Sequence, residues 1–160
     1  LYHDIQKFSN YCKKRGIQPC VRLNGTTDIQ WELIPAMPHS LMNIFEQFPD
    51  VQFYDYTKIA NRRKAKEVAN YHLTWSYSNA DPRYAARLDE AISNGMNAAV
   101  VFRSNFIEVV PKCWHKWNGY PVIDGDKDDL RFLDPKGGHI VALYAKGKAK
   151  KDTSGFVQEV

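Results

Sequence analysis

Asn24, Gly25, Thr26, Thr27 and Asp28 are five consecutive small or polar residues with no apolar side chain to bury. They follow directly on Val21-Arg22-Leu23, where apolar residues stand two apart, as on a strand. Gly25 lets backbone come close to a ligand, and the Thr and Asp oxygens can bond turn amides or a bound molecule. Chains of α/β type keep their chemistry at the carboxyl ends of strands, and this stretch is the first candidate for such an end. The plain alternative is a strand-to-helix turn capped by Thr27 or Asp28.

The same pattern recurs downstream. V-Q-F-Y-D-Y (51–56) ends at Thr57-Lys58, and Tyr71 to Trp75 ends at Ser76-Tyr77-Ser78. N-A-A-V-V-F (97–102) ends at Arg103, and Pro121-Val122-Ile123 breaks into Asp124-Gly125-Asp126. On a parallel sheet these ends converge on one rim holding Asn24, Gly25, Thr26, Asp28, Tyr56, Lys58, Ser76, Ser78, Arg103, Asp124 and Asp126. Arg103 or Lys58 would meet an anionic group, and Asp28 an amine or hydroxyl, so an anionic or nucleoside-like small molecule is the expected ligand. No residue presents itself as catalytic.

Two other readings compete. Arg62, Arg63, Lys64 and Lys66, with Lys146, Lys148, Lys150 and Lys151, could contact phosphates of a nucleic acid without chemistry. Alternatively the chain is a structural or interaction module whose polar rim holds nothing. Trp114 and Trp117 flank His115 and Lys116 and could stack on a base, though such a pair more often forms a small core under a long loop. No metal is expected. Asp124-x-Asp126-x-Asp128 opens like a calcium loop but has Asp129 where Gly belongs and Pro135 where Glu belongs. His3, His39, His72, His115 and His139 lack metal-ligand spacing. Walker A, G-x-G-x-x-G and G-x-S-x-G are absent.

The elements that must position these residues read as alternating helices and strands. Leu1 to Arg15 has Tyr2, Ile5, Phe8 and Cys12 on one helical face, stopped by Gly16. Cys20 to Leu23 is the first strand. Ser40 caps a short helix to about Phe48, and Asn61 to Ala69 is a solvated basic helix or loop. Asp81-Pro82 opens a helix running to Ser93 with Ala85, Leu88 and Ile92 inward. Residues 104–119 are irregular, 130–133 are strand or turn, and His139 to Tyr144 is the last strand. Continuously apolar strands separated by helices imply a parallel sheet of βα units. A partial (β/α) barrel of about five to six strands is the expected fold; an open doubly wound sheet also fits.

The 160 residues make one α/β domain, with 146–160 as a basic tail. A net charge of +4 permits an anionic partner without demanding one. Cys12, Cys20 and Cys113 are odd in number with no C-x-x-C pair, which argues against a disulfide framework and for reduced thiols inside a cell. There is no membrane-spanning window and no signal peptide. The chain begins at Leu1 rather than Met, so an upstream segment is expected. Oligomeric state is not encoded in any feature of the sequence.

Several stretches together carry a family resemblance: V-R-L-N-G-T-T-D-I-Q-W-E, F-P-D-V-Q-F-Y-D-Y-T-K, N-Y-H-L-T-W-S, N-G-M-N-A-A-V-V-F, V-I-D-G-D, D-L-R-F-L-D-P-K-G and A-K-G-K-A-K-K-D-T-S-G-F. From about Pro19 to Phe156 the chain resembles a bacteriophage protein family, the gene-eighty-eight group, which carries no assigned activity. The resemblance implies a protein of an infected host's cytoplasm and a cysteine-rich segment ahead of Leu1. A weaker resemblance is to radical S-adenosylmethionine enzymes, whose (β/α)6 partial barrel binds the methionine amino group with a Gly-Gly-Glu motif. V-R-L-N-G-T-T-D-I looks like a degenerate form of that motif, with Asp28 in place of the carboxylate. It has one glycine rather than two and Asp rather than Glu, and Cys12, Cys20 and Cys113 lack the cluster spacing. S-adenosylmethionine and an iron–sulfur cluster are therefore implied only for a longer form.

Overall fold

The structure, a computed structural model, describes residues 1–160. Helix α1 (Tyr2–Arg15) buries Ile5 and Cys12 and ends where Gly16 turns left-handed at φ 65°. Strand β1 is short, Cys20–Val21, and leads by way of a 3-10 turn at Trp31–Leu33 to helix α2 (Ile44–Gln47). Strand β2 (Gln52–Thr57) and helix α3 (Arg63–Lys66) follow, then strand β3 (Tyr71–Ser76). Helices α4 (Pro82–Ala85) and α5 (Leu88–Ser93) lead to strand β4 (Asn97–Phe102). After helix α6 (Phe106–Val109) come the hairpin strands β5 (Lys116–Trp117) and β6 (Tyr120–Asp124), then β7 (Ile140–Tyr144) and β8 (Val157–Gln158).

These eight strands form one sheet in the order β1-β2-β3-β4-β7-β6-β5, with β8 paired to β4. Every pairing is parallel except the β5–β6 hairpin. The sheet is open. The parallel α/β expectation holds, and the barrel of five to six strands is corrected to an eight-stranded sheet with two edges. Strand order explains why. From β1 to β4 each strand steps one place in the same direction, so right-handed crossovers put every connection on one face. From β6 to β7 the chain steps back toward β4, so that connection must cross on the other face. Phe45 of α2 accordingly stacks on Tyr71 and meets Phe53 edge-on, whereas Phe132 from the 125–139 connection packs on Tyr54.

The main core lies under the helices. Phe53, Tyr71, Leu73, Trp75, Val100 and Phe102 alternate inward along their strands and meet Phe45, Phe48, Leu88 and Phe106. On the opposite face Asn97 fastens the 125–139 connection. Its Nδ2 donates to the Pro135 carbonyl (2.8 Å) and its Oδ1 accepts the His139 amide (3.1 Å).

Several local expectations shift. The cap of α2 is Asn43, not Ser40: Asn43 accepts from the amides of Phe45 and Glu46, and Glu46 returns to the Asn43 amide. The expected helix 82–93 is two short helices. Residues 130–133 contain a 3-10 turn at Arg131–Leu133. The C-terminal basic tail is ordered: Gly147–Lys151 forms a 3-10 turn, and β8 pairs beside Val101 and Phe102. Because β7 occupies one edge of β4 and β3 pairs only with Asn97 to Ala99, β8 continues the line of β3.

Candidate functional site

Beyond the end of β1, Asn24 acts as the hub of its loop. Its backbone amide donates to Asp55 Oδ1 at 2.7 Å, and its Nδ2 donates to the Ile29 carbonyl at 3.0 Å. Its Oδ1 accepts from Thr27 Oγ1 (2.9 Å), the Ile29 amide (3.1 Å) and Trp31 Nε1 (3.1 Å). Asn24 is buried and fully bonded, so it shapes the loop instead of offering it to a ligand. Asp55 is itself buried on β2 and also accepts the Tyr71 hydroxyl (3.0 Å). Burial raises its carboxyl pKa against these bonds.

Asp28 reaches across to the end of β2. It accepts Thr57 Oγ1 (2.8 Å) and the Lys58 amide (2.6 Å), and lies 3.3 Å from Arg62 Nη1. Arg62 in turn bonds Glu32 through both Nε (2.9 Å) and Nη2. Both Asp28 oxygens are therefore bonded from within, while Arg62 is the single cation that Asp28 and Glu32 share.

The other cations beside Asp28 make no direct ion pair with a carboxylate. Lys58 extends its ammonium to the Ser76 carbonyl at 3.2 Å, above the rings of Tyr84 (5.1 Å) and Phe156 (5.5 Å), with no carboxylate in ion-pair range. Burial holds its pKa below the ordinary lysine value, with Asp28 working against that. Arg22 lies over Tyr56 at 4.8 Å, likewise without an acidic partner. The amides of Gly25, Thr26, Thr27 and Asp28 donate to no group in the chain. These groups surround a cavity of about 180 Å³ at the carboxyl ends of β1, β2 and β3. Gly25 has an ordinary φ, and a Cβ there would meet open space, so its conformational freedom is not used.

Asn24, Gly25, Thr26, Asp28, Lys58 and Ser76 thus come together, and Arg22 and Thr57 join them. Arg22 was hidden in the sequence as the polar member of an alternating strand. Arg103, Asp124 and Asp126 stand apart in structural bonds. Arg103 donates to the carbonyls of Lys150 and Asp152 (2.6 and 2.7 Å), holding the C-terminal segment. Asp124 accepts the Asp126 amide (2.9 Å), and Asp126 pairs with Lys146 Nζ (2.7 Å) and the Tyr144 amide (2.7 Å). Of the basic residues assigned to nucleic acid, Arg62 has no exposed side-chain surface and Lys146 is ion-paired, while Arg63, Lys148, Lys150 and Lys151 are exposed. Trp117 packs against Tyr77 and Phe102, whereas Trp114 is exposed.

The residues present do not fit the radical-enzyme cofactors. Cys12 is buried in α1, Cys113 is exposed near β5, and no three His, Cys, Asp or Glu side chains gather for a metal. Asp28 already accepts from Thr57, Lys58 and Arg62, which tie it to the end of β2. A second cavity of about 370 Å³, missed by sequence reasoning, lies at the opposite, amino ends of β2 and β3. No helix is long and apolar enough to cross a membrane. No curated protein and no solved structure gives a match to the chain. One family model, described as Gene product 88, matches residues 1–160, and the chain belongs to that phage-type family.

Proposed function

We propose that the chain binds a small anion, or the anionic head of a nucleoside-like molecule, at the carboxyl ends of β1, β2 and β3. The observation that carries this reading is Lys58. Its ammonium stands in a concave site against a carbonyl and two ring faces, with no carboxylate within ion-pair distance. Arg22 and the free amides of Gly25 to Asp28 supply further donors to the same space. At about 180 Å³ the cavity suits a phosphate or carboxylate group better than a whole drug-sized ligand. Asp28 holds the loop at its distance from β2 and is not itself the ligand contact.

The test is calorimetric titration with inorganic phosphate and with adenosine monophosphate at low ionic strength. Lys58→Met is expected to weaken both at least tenfold, while Lys148→Met leaves them within twofold. Equal affinity in Lys58→Met and the parent chain would overturn the proposal, as would no heat of binding at millimolar probe.

A further inference from the structure

The 370 Å³ cavity has a cause in strand register. β4 begins opposite Thr74, so Tyr71, His72 and Leu73 of β3 pair with β2 on one side and have no strand on the other, where β4 would lie. The space is bounded instead by α3, by the Asn94-Gly95-Met96 turn and by Phe132 to Gly137 of the connection on the other face. The lane that a longer β4 would fill, one strand spacing of about 4.8 Å from β3, is left open there.

Its lining combines apolar walls with unpaired cations. Leu73, Met96 and Phe132 supply the walls. Lys66 and Lys136 stand at its edge without an ion-pair partner, and no carboxylate lines the space. His72 Nε2 points into a buried environment with no hydrogen-bond partner. Burial, with the charges of Arg131 and Lys136, lowers the His72 pKa to about 4, so the ring is neutral at physiological pH and can donate or accept one bond. Arg62 also borders the cavity, but its charge is matched by Glu32 and Asp28.

We propose that this cavity is a binding site for a small planar aromatic anion, its rings between Leu73, Met96 and Phe132 and its charged group at Lys66 and Lys136. The site is separate from the one at the carboxyl ends and does not depend on it.

The probe is 8-anilinonaphthalene-1-sulfonate, a flat aromatic anion that fluoresces when it leaves water, compared with the neutral N-phenyl-1-naphthylamine. The native chain is expected to bind the sulfonate saturably at one site. Lys66→Gln with Lys136→Gln should weaken the sulfonate about tenfold and the neutral probe less than twofold. Ala69→Trp, at the exposed mouth, should weaken both. Lys58→Met should change neither by more than twofold. Circular dichroism checks that each variant keeps its fold. An unchanged sulfonate affinity in the double lysine variant would overturn the proposal. So would no saturable binding, tight binding to Ala69→Trp, or a loss on Lys58→Met, which would place the probe at the carboxyl ends.

Discussion

Arg62 shows how far a side chain's role can depart from its sequence surroundings. In N-R-R-K-A-K it reads as one cation of a solvated strip, yet its side chain is 0% exposed and Glu32, its main partner, is 1% exposed. That partner lies thirty residues upstream, and nothing local announces it. Removing one member of a buried pair leaves the other charge stranded, so Arg62→Met should destabilise by about 3–5 kcal/mol. Arg62→Met combined with Glu32→Leu should recover most of that loss. Urea unfolding of the single and double variants measures both. His72 gives a second test. Its folded pKa of about 4 lies below the usual 6.5, so the unfolded chain binds more protons between those values. Stability from this residue is complete above pH 6.5 and is lost as pH falls toward 4, by roughly 2–3 kcal/mol. Asp55 and Asp134 act with the opposite sign, since burial raises their pKa values above 3.8. The unfolding midpoint of His72→Gln should therefore fall less than that of the parent chain between pH 6.5 and 4.

At the scale of elements, strands with continuous apolar runs were readable and short elements were not. Asn97 to Phe102 is read from sequence with its observed bounds, because a strand buried on both faces needs an unbroken apolar run. The β5–β6 hairpin did carry a signal: Trp117-Asn118-Gly119-Tyr120 puts Asn and Gly at the two turn positions, where φ is 48° and 83°. β8 carried none, being only two residues long and following a run of lysines. It is fixed by tertiary bonds. Gly155 accepts the Asn79 amide (2.8 Å), and Arg103 holds the carbonyls before it. Gly155 has φ 89°, and a Cβ there would lie 2.9 Å from the Asn79 carbonyl oxygen. Gly155→Ala should therefore release the strap that carries Phe156 to Lys58, costing about 1–3 kcal/mol. Limited trypsin digestion should then cut faster after Lys150 and Lys151 than in the parent chain, with the body of the sheet resistant.

For the whole molecule, the parallel sheet was readable, whereas strand order was not, and Arg103, Asp124 and Asp126 fall outside the group at the ends of β1, β2 and β3. One reversal, β6 to β7, separates an open sheet from a barrel, and it depends on which edge of β4 accepts β7. The same placement decides the charge pattern. Arg63 lies on α3 between β2 and β3, while Lys148, Lys150 and Lys151 follow β7 beyond β4. With Arg62 buried and Lys146 tied to Asp126, the cations left free are on separate elements, although the net charge is +4. A single-stranded oligonucleotide engaging all six named cations would give a slope of log affinity on log salt of about −4, since each neutralised phosphate contributes about −0.7. The three free lysines after β7 alone would give about −2. Fluorescence anisotropy of a labelled oligonucleotide between low and moderate salt should return the shallower slope, with Arg63→Gln leaving it unchanged. A slope near −4 would mean that the chain rearranges to bring Arg62 and the lysines together, and the buried Arg62–Glu32 pair would then have to open on binding.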